Sequence, residues 1–218
     1  MLSHVGSAVS GVALVWMLVG CGGGVAAPSD GWTPLFNGKD LAGWQQRGKG
    51  EFFVKDGLLV GTQTDGRGGD LYTTGEWDNF ELRAVYRMVW PANSGFWYRY
   101  DPAKGAGYQF DVLKWPKPVA YSGTLYCPGK MFLFANLDES KENRDGWNEA
   151  RVSADGDHLV HWLNGEKMGE VRDTTLTSGR IGIQVHGGNQ FKGMTIVVKS
   201  IEIRPLPAGK AAAPSGKQ

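Results

Sequence analysis

The sequence predicts an all-β protein, an antiparallel sandwich of two packed sheets, on three observations. Apolar and polar residues alternate in several short runs, and such alternation marks a strand with one face buried. Glycine and aromatic residues are abundant, with 33 Gly beside 9 Trp, 7 Tyr and 9 Phe. Asp56-Gly57 and Asn164-Gly165 break the alternation as hairpin turns, because these residue types accept positive φ. No long stretch carries helical periodicity, and 218 residues suffice for one domain with a sizeable core.

In chain order, strands are expected at Glu51 to Val60, Phe80 to Val89, Ser94 to Tyr100, Gly107 to Leu113 and Gly123 to Cys127. They continue at Trp147 to Ala154, His158 to Leu163, Arg180 to His186 and Thr195 to Arg204. Strands this short and numerous, separated by turn residues, build a sandwich. Gly61 to Asp70 reads as a glycine-rich loop: it lacks the Gly-Lys-Ser/Thr ending of a phosphate loop and precedes no helix.

The ends carry a different signal. Residues 1 to 20 contain no Lys, Arg, Asp or Glu, and the apolar run Val9 to Val19 is shorter than the about 20 residues a bilayer requires. It reads as a signal-peptide core. Its end, Leu18-Val19-Gly20-Cys21, resembles the lipobox of bacterial lipoproteins, with Cys21 as the lipidated residue. The run lacks the usual preceding positive charge, so ordinary secretion and an uncleaved anchor stay open. The expected organisation is a signal at 1–21, a linker at 22–31, the folded domain at 32–206 and an unstructured tail at 207–218. The expected location is the cell envelope, periplasmic or lipid-anchored, with secretion as the alternative.

Charge narrows the partners. Twenty-three basic and 22 acidic residues leave a net +1 with no basic block, which argues against nucleic acid. Two cysteines, Cys21 and Cys127, make neither a disulfide framework nor a zinc site, and Cys127 reads as a buried or half-buried free thiol.

Chemistry concentrates between Asn93 and Tyr126. In Gly107 to Leu113, Tyr108, Phe110 and Val112 share one face, while Gln109 and Asp111 share the other. Residues two apart on a strand sit roughly 6.6 Å apart, so Gln109 and Asp111 can address one small polar ligand. In Ser94 to Tyr100, the same parity sets Trp97 and Arg99 against Phe96, Tyr98 and Tyr100. An indole, a guanidinium, an amide and a carboxylate on one surface suit a sugar.

The string Leu35-Phe36-Asn37-Gly38-Lys39-Asp40-Leu41-Ala42-Gly43-Trp44 resembles the opening of the 3-keto-disaccharide hydrolase domain family. Asn93-Ser94-Gly95, Gly107-Tyr108-Gln109-Phe110-Asp111, Gly123-Thr124-Leu125-Tyr126, Trp162-Leu163-Asn164-Gly165 and Gly182-Ile183-Gln184-Val185-His186-Gly187 follow in the order of that family. Where many relatives carry Glu-x-Gln, this chain has Gln109-Phe110-Asp111. The resemblance implies a concanavalin A-like jelly roll that binds carbohydrate on a concave face. It also implies hydrolysis of glycosides whose sugar carries a ketone at carbon three, and a partner sugar 3-dehydrogenase that makes the ketone.

A ketone acidifies the neighbouring hydrogen on carbon two, so a base can remove it and expel the glycosidic oxygen, after which water adds. This needs a base, a proton donor for the leaving group and a group that stabilises the enolate oxygen. The candidates are Asp111 as base, His186 as acid or second base and Arg99 as enolate stabiliser. The bland alternatives are a solvated strand face for Asp111, a surface histidine and a structural ion pair. Trp97, Trp115 and Tyr126 are candidates for stacking on the sugar, although most of nine Trp belong in a core. Gln109, Asn93 and Gln184 are candidates for orienting hydroxyls. No cofactor is expected, and no Asp/Asn-rich loop claims a metal. Two other readings remain: a carbohydrate-binding module without catalysis, and an endoglucanase-like glycosidase using Glu76 and Glu81 of a Glu-x-Asp-x-x-Glu string.

Overall fold

The computed structural model describes Met1 and residues 30–207. The strands in chain order are β1 (Thr33–Pro34), β2 (Trp44–Gly48), β3 (Glu51–Lys55), β4 (Leu58–Thr62), β5 (Gly69–Thr73), β6 (Phe80–Val89), β7 (Asn93–Asp101) and β8 (Ala106–Pro116). They continue as β9 (Val119–Cys127), β10 (Met131–Asn136), β11 (Asn148–Asp155), β12 (His158–Leu163), β13 (Glu166–Arg172), β14 (Arg180–Val185) and β15 (Thr195–Pro205). Two short 3-10 turns, Glu139–Lys141 and Asn189–Phe191, are the helical elements among the described residues.

All pairings are antiparallel and form two sheets. One runs β13-β12-β11-β6-β15-β4-β3 with β1 added beside β15; the other runs β10-β9-β8-β7-β14-β5-β2. The fold is therefore the expected two-sheet sandwich. Its core is the inward parity of both sheets: Leu59, Phe80, Tyr86, Val198 and Ile201 from the first meet Phe96, Tyr98, Tyr108, Phe110, Leu125 and Ile183 from the second.

Several elements depart from the sequence expectation. Glu51 to Val60 is a hairpin of β3 and β4, turned by Asp56 and Gly57 at φ 52° and 76°. Only residues 63–68 of the expected glycine-rich loop are loop; its ends belong to β4 and β5. The strands β1, β2, β5, β10 and β13 were not anticipated. Three of these are sheet edges, β2, β10 and β13, which are half-exposed and polar or interrupted by bulges, so their side chains lose the alternation that reports a buried face.

Candidate functional site

The face of β8 that turns away from the core carries Gln109 and Asp111, while Tyr108, Phe110 and Val112 are wholly buried beneath it. Strand register then places a row of residues side by side. Arg47 pairs with Asp70, Asp70 with Gln184, Gln184 with Gly95, and Gly95 with Asp111. The neighbouring row runs Tyr72, Gly182, Trp97, Gln109 and Tyr126. Strands lie about 4.8 Å apart, so Asp111 and Gln184 flank the low floor of Gly95 at roughly 10 Å, the reach of a small glycoside. Gly95 is required there: a Cβ would stand 2.6 Å from the Phe110 carbonyl oxygen and 2.8 Å from Gln109 Cγ.

These rows floor a groove of about 480 Å³. Its polar lining includes Arg47, Asp70, Asn93, Gln109, Asp111, Gln184 and His186, and its apolar walls include Trp97, Trp115, Tyr126 and Phe132. A smaller hollow of about 270 Å³ adjoins it at Arg47, Asp70, Gln184 and His186. Eight of the residues expected to form a site are therefore brought together: Asp111, His186, Gln109, Asn93, Trp97, Trp115, Tyr126 and Gln184.

Their environments differ. Asp111 is 2 % exposed, and no described residue hydrogen-bonds its carboxyl group; burial drives its pKa well above the usual carboxylate range. It is a buried acid rather than part of a solvated face. Tyr126 is raised by burial and then by the nearby Asp111 carboxyl. The Gln109 amide donates to Gln184 Oε1 at 3.1 Å, which fixes both side chains. His186 is half-buried, its ring on the Gly187 carbonyl and edge-on to Phe191.

Arg99 is the exception. It lies outside the groove, 1 % exposed, with its guanidinium donating to the carbonyls of Asp78 at 2.9 Å, Gly156 at 2.8 Å and Leu176 at 3.0 Å. The alternation that would have aligned it with Trp97 fails because β7 bulges there, with Arg99 at φ 47°. The bulge instead turns Tyr100 to the groove side, where its ring stacks on Trp97 at 5.0 Å and its hydroxyl donates to Asp70 at 2.8 Å. The Trp97 indole donates to the other oxygen of Asp70 at 2.9 Å. Asp70, Tyr100 and Arg47 are thus groove residues that the sequence reading missed. Their one signal is the alternation of Asp70 and Tyr72 against Leu71 and Thr73, hidden at the end of a glycine-rich stretch.

The Glu76 and Glu81 alternative fails on geometry. Glu81 lies on β6, in the other sheet, ion-paired with Arg151 at 2.5 Å and with Arg204, while Glu76 faces Arg180 at 3.4 Å. Neither carboxylate lines the groove. Cys127 is a buried free thiol, and Cys21 lies outside the described residues. Among the described residues, no three His, Cys, Asp or Glu side chains gather to hold a metal ion.

Residues 31–204 match the model of the 3-keto-α-glucoside-1,2-lyase-like domain family. The chain belongs to that family. A 3-keto-disaccharide hydrolase of Bacteroides thetaiotaomicron is 32% identical over 80 residues, covering 32% of this chain and 28% of that one. The chain thus matches little more than a quarter of the curated relative. A Parabacteroides distasonis structure assigned as a glycosyl hydrolase superposes with a TM-score of 0.58 at 22% identity, over 81% of this chain and 94% of that one. The carbohydrate binding module CBM66 of Bacillus subtilis gives 0.58 at 14% identity, over 74% and 95%. At these identities the superpositions establish the lectin-like sandwich fold. For a member of this family the groove offers an unpaired buried acid, an imidazole, an amide pair and aromatic walls on one face.

Proposed function

We propose that the domain cleaves glycosides of 3-keto sugars by elimination followed by hydration. Asp111 takes the proton from carbon two, and the electrons form an enolate toward the ketone oxygen. The glycosidic bond then breaks, His186 hands a proton to the departing oxygen, and water adds across the resulting double bond. The Asn93 and Gln184 amides supply donors toward the ketone and ring hydroxyls, in the role first assigned to Arg99. The family match supports the substrate class, and the buried, unpartnered carboxyl of Asp111 carries the reading. Burial raises the pKa of the Asp111 carboxyl, so its ionised form is a stronger base than an ordinary carboxylate. The ketone calls for a prior oxidation at carbon three by a separate dehydrogenase.

A second reading, a module that binds sugar without cleaving it, rests on the indole and phenol walls of Trp97, Trp115 and Tyr126, which serve binding equally well. A single experiment separates the two. The purified chain is incubated with a 3-keto-glucoside bearing a chromogenic aglycone, and with the unoxidised glucoside as control. Release of chromophore from the keto compound alone is expected. Saturable binding with no release would establish the module instead.

A further inference from the structure

The face of the sandwich opposite the groove carries an unusual stripe. Register across the first sheet aligns Phe53, Val60, Val197 and Arg87 on β3, β4, β15 and β6, and Trp147 adjoins the start of β11 beside them. Phe53, Val89 and Trp147 are 40%, 53% and 38% exposed, three of the large apolar side chains that the described residues leave open to solvent. Arg87 and Lys199 lie over the Trp147 ring at 5.1 and 6.0 Å. The other arginines of this face are ion-paired: Arg83 with Glu202, and Arg151 and Arg204 with Glu81. Arg87 and Lys199 have no carboxylate partner among the described residues.

Asp30 and Trp32 lie on this same face. Asp30 contacts Arg83 and Arg204, and Trp32 lies beneath those two guanidinium groups at 4.3 and 5.0 Å. The segment before Asp30 contains the apolar run Val9 to Val19 and the lipobox-like ending at Cys21. From Cys21 to Asp30 the chain reaches at most about 30 Å.

We propose that this outer face rests on a membrane surface carrying anionic lipid, to which the segment before Asp30 tethers the domain, so that the groove opens away from the membrane. Indole, phenyl and valine side chains sit at the depth of the lipid headgroups, and long basic side chains reach the phosphates. Lys55, Arg87 and Lys199 against the exposed carboxylates Glu51 and Glu149 leave about one net cation on this face, which favours the docked state on an anionic leaflet by about fivefold. That is weak for a free protein, but a tether this short confines the domain within reach of the surface. A free disaccharide then enters the groove from the aqueous side without crossing the anchored face.

The test uses the full chain, purified from host membranes and reconstituted into vesicles of phosphatidylcholine with or without 30% phosphatidylglycerol. Thr195→Cys, on the stripe beside Val89, and Lys104→Cys, on the groove-side β7–β8 hairpin, are labelled with an impermeant maleimide. Thr195→Cys is expected to react at least about fivefold more slowly on the anionic vesicles than on the neutral ones, while Lys104→Cys reacts equally on both. The difference should vanish when Trp147→Ala, Arg87→Gln and Lys199→Gln are added. Equal Thr195→Cys rates on the two vesicle compositions would overturn the proposal, as would recovery of the chain in the soluble fraction. Protection that persists in detergent and grows with protein concentration would also overturn it, by showing a second copy on the stripe. None of these readouts depends on turnover, so the proposal stands or falls apart from the reaction assigned to the groove.

Discussion

Asp111 joins two properties that rarely coincide in a residue kept only for stability: it is buried, and no described group compensates its charge. Its folded pKa is raised, so the stability it contributes is present below its unfolded pKa and is lost as pH rises through the folded value. Asp111→Asn removes that loss. The variant should unfold at a higher temperature than the wild type at pH 8, by a few degrees, while turnover of a 3-keto-glucoside falls at least about a thousandfold. Calorimetry and an aglycone-release assay read the two effects, and an active, folded variant would remove Asp111 from the scheme. The position was legible in the sequence because Gln109 and Asp111 alternate with three large apolar residues, a pattern that only a one-sided strand produces. Arg99 was misread by the same rule, since parity counts residues and cannot see an extra one inserted by a bulge.

At the level of elements, the β7–β8 hairpin shapes one wall of the groove. Arg99 holds its bend by binding three carbonyls from separate segments, and the bend delivers Tyr100 onto Trp97 and Asp70. Arg99→Met leaves those carbonyls unpaired, which should cost about 3 kcal/mol in denaturant unfolding. In the folded fraction, the loosened Tyr100 should raise KM more than it lowers kcat. An unchanged KM would show that the hairpin does not shape the site. Gly95→Ala tests the floor between Gln184 and Asp111. Its methyl group would press on Gln109 Cγ and the Phe110 carbonyl, so substrate affinity should drop about tenfold or more, measured by titration calorimetry on the Asp111→Asn background. Central strands were recoverable from sequence because both their faces are specified by neighbours. Edge strands such as β2 were not: Gln45, Gln46 and Arg47 are all exposed, so nothing in their order reports a sheet, and Arg47 was missed with them.

Across the whole molecule, two buried titratable groups join the sheets and pull stability in opposite directions with pH. His161 on β12 bonds Tyr98 on β7 at 3.0 Å and the Gly123 carbonyl on β9 at 3.0 Å. The carbonyl can only accept, so Nδ1 carries the proton and Nε2 accepts from the Tyr98 hydroxyl. Burial lowers its pKa from 6.5 to about 3. Its contribution is therefore present above pH 6.5 and is lost as pH falls, by about 3 kcal/mol at pH 4.5. Glu142 bonds Tyr86 on β6 at 3.2 Å, and burial raises its pKa from 4.5 to about 7. Its contribution is present below pH 4.5 and is lost as pH rises to 7, by about 3 kcal/mol. Between pH 4.5 and 7 the two nearly cancel. The wild type should show little change across that range from this pair, while each single variant exposes the other's slope. His161→Gln keeps a donor and an acceptor but does not titrate, so its unfolding free energy should rise as pH drops from 7 to 4.5. Glu142→Gln should do the reverse. Urea denaturation at four pH values on the Asp111→Asn background, which removes that acid's own slope, measures both, and parallel curves for the two variants would show that these groups do not titrate with folding. The opposition has a structural source: a buried imidazole and a buried carboxyl are both neutral between the sheets, one by shedding its proton and the other by keeping it.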